Sequence, residues 1–186
     1  MSTKTTLRTG WTMPAIDEQK ALWGTGALTF PTPSTPGNDV LKGTNGTDGF
    51  YGQGGNDVIY GYGGVDVIAG GTGNDRLYGG KDKDTFYFDT KLNAKTNVDK
   101  IMDFKAADDV IALRKSIFKK AGVYGELKET AFHLGKSAHD ADDRIIYDKA
   151  TGSLYYDADG TGSVAKIKFA TLVNKATITY QDFFVS

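Results

Sequence analysis

A large apolar residue recurs every nine positions between Ser34 and Tyr87: Leu41, Phe50, Ile59, Ile68, Leu77 and Phe86. In nine-residue steps the stretch reads STPGNDVLK, GTNGTDGFY, GQGGNDVIY, GYGGVDVIA, GGTGNDRLY and GGKDKDTFY, with no insertion. A fixed period of this kind marks a coil whose repeats stack, because one repeat cannot bury its apolar face alone. The last three residues of each repeat suffice only for a short strand, whose middle side chain points away from its neighbours. The eighth position is therefore core, and Tyr51, Tyr60, Tyr78 and Tyr87 at the ninth are expected to face outward. The Gly-rich half has to turn the chain tightly. The period excludes collagen, which needs Gly at every third position, and a flexible linker, which has no regular bulky apolar residue.

The polar positions carry the chemistry. The sixth position is Asp in every repeat: Asp39, Asp48, Asp57, Asp66, Asp75 and Asp84. Stacked strands would set these carboxylates in rows about 4.8 Å apart. Such rows repel themselves unless a cation lies between their members. Ca²⁺ takes six to eight oxygens in tolerant geometry, and turns without side chains leave their carbonyls open to it; Mg²⁺ demands a smaller octahedron and keeps its waters. The plain alternative is turn chemistry alone, with Gly and Asn-Asp pairs shaping a solenoid that holds no metal.

These repeats resemble the calcium-binding nonapeptide G-G-x-G-x-D-x-U-x of RTX proteins. The resemblance implies a parallel β-roll in which two repeats make a turn, so that residues 18 apart stack. It then pairs Asp39 with Asp57 and Asp57 with Asp75 on one edge, and Asp48 with Asp66 and Asp66 with Asp84 on the other, implying about four calcium ions. The ligand set it implies comprises the six aspartates, Asp82, Thr72 and turn glycines Gly37, Gly46, Gly52, Gly54, Gly55, Gly61, Gly63, Gly64, Gly70, Gly73 and Gly79. Thr35 and Pro36 in the first repeat, Gly49 in the second, and Lys81, Asp82 and Lys83 in the last depart from the pattern.

Beyond Phe88 the period is lost but apolar alternation persists. In VDKIMDFKAADDVIALRKSIF, Ile101, Phe104, Val110, Ile111 and Leu113 are core candidates in strands. This segment resembles the one that follows the repeats in many exported RTX proteins, which makes Asp99, Asp103 and Asp109 candidates for one more calcium. Residues 114–142 give little pattern. DRIIYDKATGSLYYDADG predicts a hairpin, with strands Ile145–Tyr147 and Leu154–Tyr156 about a turn at Lys149–Gly152. Val164–Phe169 predicts a third strand and Ala176–Tyr180 a fourth. Asp157 and Asp159 begin an EF-hand-like DADGTG, but Lys168 stands where the bidentate Glu belongs, so a tight turn is expected and an extra calcium there is the alternative.

The fold expected is all-β: a parallel β-roll over 34–87, then a capping, β-sandwich-like and secretion region over 88–186, preceded by a short helix or arm over 1–33. Pro14 at a helix start and Gly24 at its end frame PAIDEQKALW, whose Ile16, Leu22 and Trp23 are suited to cover the open end of the roll.

Composition narrows the function. Of 23 acidic residues 20 are Asp, which suits metal loops, and the net charge of -1 gives no reason to expect nucleic acid as a partner. There is no Cys, so neither a disulfide framework nor a thiolate site exists. No run of 18 apolar residues suggests a membrane helix. MSTKTTLRTGWTMP lacks the apolar core of a cleavable signal peptide, so export is expected by another route. The C-terminal YQDFFVS resembles the uncleaved type I secretion signal of serralysin-like proteins, and reads equally as a last core strand. His133 and His139 form no H-E-x-x-H, GKSAH lacks the closing Gly of a nucleophile elbow, and no phosphate-binding Gly loop occurs, so no enzyme is expected.

The reading is a secreted, extracellular, monomeric calcium-binding RTX protein of a Gram-negative bacterium that folds on calcium after passing the type I machinery. Two alternatives stay open: a C-terminal module of a larger secreted enzyme or polysaccharide-binding adhesin of the alginate epimerase kind, and a small membrane-active protein.

Overall fold

The computed structural model describes residues 33–186, so the expected helix or cap over 14–23 lies outside the described residues. Over these residues the chain is all-β and almost without helix. Its strands are β1 (Val40–Lys42), β2 (Gly49–Tyr51), β3 (Val58–Tyr60), β4 (Val67–Ala69), β5 (Arg76–Tyr78), β6 (Thr85–Phe88), β7 (Asp99–Ile101), β8 (Val110–Leu113), β9 (Gly125–Glu126), β10 (Phe132–Leu134), β11 (Ile145–Asp148), β12 (Ser153–Tyr156), β13 (Ile167–Leu172) and β14 (Phe183–Val185). Two single 3-10 turns, Glu129–Ala131 and Tyr180–Asp182, complete it.

Alternate repeats go to opposite sheets. One sheet has eight strands in the order β1-β3-β5-β7-β13-β12-β11-β10, and the other six in the order β2-β4-β6-β8-β14-β9. In the roll every pairing is parallel, and the register is a shift of 18: Leu41 lies on Ile59, Ile59 on Leu77, Phe50 on Ile68 and Ile68 on Phe86. This is the parallel β-roll the repeats predict, two repeats to a turn. All six eighth-position side chains are buried, and they share one core with Ile101, Phe104, Ile111, Leu113, Tyr147, Phe169 and Phe183. Burying a side chain of the Ile or Phe class contributes about 1.5–3 kcal/mol, so each repeat brings one such contribution to the closed coil.

Neither sheet stops at Phe88. β7 stacks on β5 with Leu77 opposite Ile101, and β8 on β6 with Phe86 opposite Ile111. The C-terminal residues then extend each sheet: β13 joins β7, and β14 lies between β8 and β9. The β11–β12 hairpin forms with the expected turn, Ile146 opposite Tyr155.

Three expectations are corrected. Tyr87 does not face solvent: it is 5 % exposed, packed with Ala69 and Ala112, because Ser186 and β8 cover that face. The third C-terminal strand starts at Ile167 and not at Val164, which is exposed on the preceding loop. Ala176–Tyr180 is no strand: Ile178 is buried, but Thr179 caps the turn Tyr180–Asp182, and that box of hydrogen bonds replaces a sheet ladder.

Candidate metal centre in the stacked turns

The sixth-position aspartates are the links of the stack. From the third repeat on, each carboxylate uses Oδ1 to accept the backbone N–H of the Asp one turn earlier: Asp57 from Asp39 and Asp66 from Asp48 at 2.8 Å, Asp75 from Asp57 at 2.8 Å, and Asp84 from Asp66 at 3.1 Å. The chain continues into the aperiodic region. Asp99 Oδ1 accepts from Asp75 and Asp109 Oδ1 from Asp84, both at 3.1 Å, so two of the three acids beyond the repeats complete the two rows. The third, Asp103, closes the last turn, taking the N–H of Gly79 on Oδ1 and of Gly80 on Oδ2, each at 3.0 Å.

The second oxygen separates the aspartates into two groups. At the N-terminal end it is taken: Asp39 Oδ2 accepts from Thr35 N–H at 2.6 Å and Asp48 Oδ2 from Thr44 N–H at 2.5 Å. At the other end Asp109 Oδ2 accepts from Lys105 N–H at 2.8 Å. Between them, the Oδ2 atoms of Asp57, Asp66, Asp75 and Asp84 are buried and accept no hydrogen bond. An ionised oxygen in that state is costly unless a cation balances it.

The space beside these oxygens has the right lining. The first-position glycines Gly52, Gly61, Gly70 and Gly79 lie beside the Oδ2 of their own repeat's Asp, and a β-carbon on any of them would collide with it. At Gly52 the same β-carbon would also strike the carbonyl oxygen of Gly70, and at Gly61 that of Gly79. A carboxylate oxygen and a carbonyl oxygen thus converge on a cradle that a methyl group would fill, the donor set a hard divalent cation takes.

The fourth-position glycines hold the turns together. Gly55, at φ +103°, and Gly64, at φ +95°, lie against the carbonyls of Gly37 and Gly46, and Gly73 against that of Gly55, one turn earlier. A side chain there meets both the left-handed backbone and the neighbouring turn. Asp82 takes the equivalent place at φ +71°, and its Oδ2 accepts the N–H of Gly64 at 3.2 Å. Gly54 bridges to Thr72, whose N–H donates to Gln53 O at 2.9 Å. Gly63 has only ordinary contacts, with Asn45 and Lys81 side chains 3.7 Å from where its β-carbon would stand. Asp157 and Asp159 lie apart, in the β12–β13 loop. Asp157 Oδ1 accepts from Gly160 N–H at 3.1 Å as a tight turn does, and Asp159 Oδ2 from Val164 N–H at 3.0 Å.

Electrostatics follows from the packing. Burial pushes Asp66 and Asp84 up to about 7, and their like-charged neighbours in the stack add to it. Asp57 and Asp109 rise to about 6 for the same first reason, and Asp75 is raised as well. Asp99 is raised well above the carboxylate range by burial and then by the charge of Asp75. The rows therefore resist holding their charge unaided.

Residues 34–68 and 60–90 match the RTX calcium-binding nonapeptide repeat (4 copies). This stretch is an RTX roll. RTX repeats bind calcium, and an RTX repeat module is a calcium-binding, non-catalytic domain. No curated protein sequence matches the chain. Among solved structures, the chain is similar to the AlgE6R3 subunit of the Azotobacter vinelandii mannuronan C5-epimerase, at 28 % identity and a TM-score of 0.55 over 85 % of this chain and 83 % of that one. The AlgE6R2 subunit of the same enzyme aligns at 21 % identity and a TM-score of 0.44, over 80 % of this chain and 91 % of that one.

Two features of the RTX roll escape the nonapeptide pattern as read. Asn38, Asn56 and Asn74 form a ladder, in which Asn38 Oδ1 accepts from Asn56 N–H at 2.6 Å, Asn56 Oδ1 from Asn74 N–H at 2.8 Å, and Asn74 Oδ1 from Val98 N–H at 3.0 Å. Their signal is an Asn before the Asp in alternate repeats, 18 apart. Gly43 is the other: its β-carbon would stand 2.7 Å from both Asp48 Oδ2 and Gly61 O, so it belongs with the first-position glycines.

Proposed function

We propose that the chain is a secreted RTX protein, or the module of one, whose roll stays unfolded at low calcium inside a Gram-negative cell and folds outside after type I secretion. The observation that carries this reading is the set of four buried Oδ2 atoms with no hydrogen-bond partner, on Asp57, Asp66, Asp75 and Asp84. In this reading they and the carbonyls beside them hold about four calcium ions, with Asp57 and Asp66 each shared by two. Asp99, Asp103 and Asp109 shape the last turn, and Thr35 and Thr44 hold one oxygen of each outermost aspartate, Asp39 and Asp48.

The switch follows from affinity. Extracellular calcium modules bind with dissociation constants of about 10⁻⁴ to 10⁻³ M, far above cytoplasmic free calcium. Without the ion the carboxylate rows repel and the apolar core is too thin to close the coil. With calcium at ten times the dissociation constant, each site contributes about 1.4 kcal/mol, so several sites together rival the whole stability of a small domain. The test is far-UV circular dichroism of the full chain, titrated with calcium from a chelated state with magnesium as control. A cooperative gain of β structure near millimolar calcium, absent with magnesium, supports the reading. A spectrum already folded in chelator and unmoved by calcium overturns it.

A second reading adds to this one, and the likeness to the AlgE6R3 subunit favours it: the chain serves as a module of a larger secreted enzyme and contacts a polyuronate chain such as mannuronan. The outer face of the eight-stranded sheet suits that role, with Tyr60 stacked on Tyr78 at 4.7 Å beside exposed Arg76 and Lys100. Calorimetry with mannuronan in calcium tests it, and no binding by the folded chain would remove it.

A further inference from the structure

The chain has two histidines, His133 on β10 and His139 in the loop that follows, and the fold brings them together. Their rings lie with centroids 5.3 Å apart and planes 9° from parallel. Both Nδ1 atoms face one carboxylate: Asp143 Oδ2 stands 3.7 Å from His133 Nδ1 and 3.8 Å from His139 Nδ1. One ligand atom from each of the three residues lies within 4.8 Å of the other two. Neither imidazole is within hydrogen-bonding distance of that oxygen, and of the two only His139 has another carboxylate close to its Nδ1, that of Asp140 at 3.1 Å.

We propose that His133, His139 and Asp143 form a binding site for a divalent transition metal, best suited to zinc and separate from the calcium stack. Two imidazoles and a carboxylate are ligands that zinc takes and that calcium, which prefers oxygen alone, does not. Ligands bonded at about 2.0–2.1 Å to a tetrahedral ion lie roughly 3.3 Å apart. The two edges through Asp143 exceed that by only a few tenths of an ångström, within reach of small ring rotations.

The site is supported from behind and open in front. Asp143 is 3 % exposed, and its Oδ2 accepts the backbone N–H of His139 at 2.6 Å and of Asp140 at 3.1 Å, which fixes the carboxylate in place; a metal would share that oxygen with these donors or take Oδ1 after a small rotation. The His133 ring is set by the parallel pairing of β10 with β11, and a β-carbon at Gly135 would stand 2.5 Å from its Nε2, so glycine there leaves the ring its place. The fourth position opens to solvent beside the exposed Asp140, whose Oδ2 is 3.1 Å from His139 Nδ1.

The experiment is calorimetric titration of Zn²⁺ into the untagged full chain, stripped of transition metals and held in saturating calcium, with Mg²⁺ as control and Co²⁺ absorption as a second readout. One zinc per chain is expected, undisturbed by further calcium, with His133→Ala and His139→Ala each weakening it at least tenfold and losing the tetrahedral Co²⁺ bands. Circular dichroism in calcium checks that the variants fold, and the exposed His139→Gln replaces His133→Ala if that one does not. No zinc binding above the magnesium control, or equal affinity in parent and folded His139→Gln, overturns the proposal.

Discussion

Asp66 Oδ1 accepts the backbone N–H of Asp48 at 2.8 Å, 18 residues back, while its Oδ2 is buried without a hydrogen-bond partner. One oxygen therefore ties two turns of the roll together and the other is left for a cation. The same division holds at Asp57, Asp75 and Asp84, and fails at Asp48 itself, where Thr44 takes the second oxygen.

That division makes the aspartates unequal. Asp57→Asn should remove a charge shared by two ions and raise the calcium midpoint of folding, at a cost of about 3 kcal/mol if two sites are lost at ten times their dissociation constant. Asp39→Asn, at the threonine-capped end, should shift it much less. Calcium titrations followed by circular dichroism compare the two, and equal shifts would mean that the cap does not matter.

The stacked carboxylates give the chelated chain a pH dependence of unusual sign. Burial raises Asp66 and Asp84 to about 7 and Asp57 and Asp109 to about 6, above their unfolded value near 4. A group that binds its proton more tightly when folded adds stability below its unfolded pKa, and that contribution is lost as pH rises through the folded pKa. In chelator, β structure should therefore grow as pH falls from 8 to 5, while calcium binding to the folded roll should weaken over the same interval because protons compete for the same carboxylates. Spectra at both pH values check this; a chelated chain less folded at pH 5 than at pH 8 would contradict it.

Gly61 and Gly63 lie two residues apart and should respond differently to alanine. A β-carbon at 61 collides with Asp66 Oδ2 and Gly79 O, whereas at 63 nothing lies closer than 3.7 Å. Gly61→Ala should abolish calcium-dependent folding or weaken it at least tenfold, and Gly63→Ala should leave the midpoint within a factor of two. The same titration reads both.

Phe183 is a core residue of the closing strand. It is 1 % exposed, lies on Ile111 of β8, and its ring is 5.7 Å from that of Phe132. Phe183→Ala should lower stability by about 3–5 kcal/mol, measured by urea unfolding in saturating calcium. A loss under 1 kcal/mol would mean that β14 is dispensable to the fold.

The roll was legible because its signals repeat: the eighth-position apolar residue sets the core, and Asp at the sixth sets the stack. Asp99 and Asp109 stand outside the period because loops lengthen the register from 18 to 24 and 25 residues. A resemblance named them as acids of interest, but only the fold shows them taking the next places in the two rows. Tyr87 looked exposed because what buries it, Ala112 and Ser186, comes from distant segments. Residues 114–142 had no period to read, since β9 is two residues long and β10 pairs with a strand beyond a loop. His133, His139 and Asp143 converge through that loop, at a spacing that matches no metal motif.

Calcium stoichiometry of the folded chain, by equilibrium dialysis of the parent and Asp66→Asn at calcium high enough to fold both, tests the stack most directly. About four ions in the parent and about two fewer in Asp66→Asn are the expected result. An unchanged count in a folded Asp66→Asn would contradict the sharing of each inner aspartate between two ions.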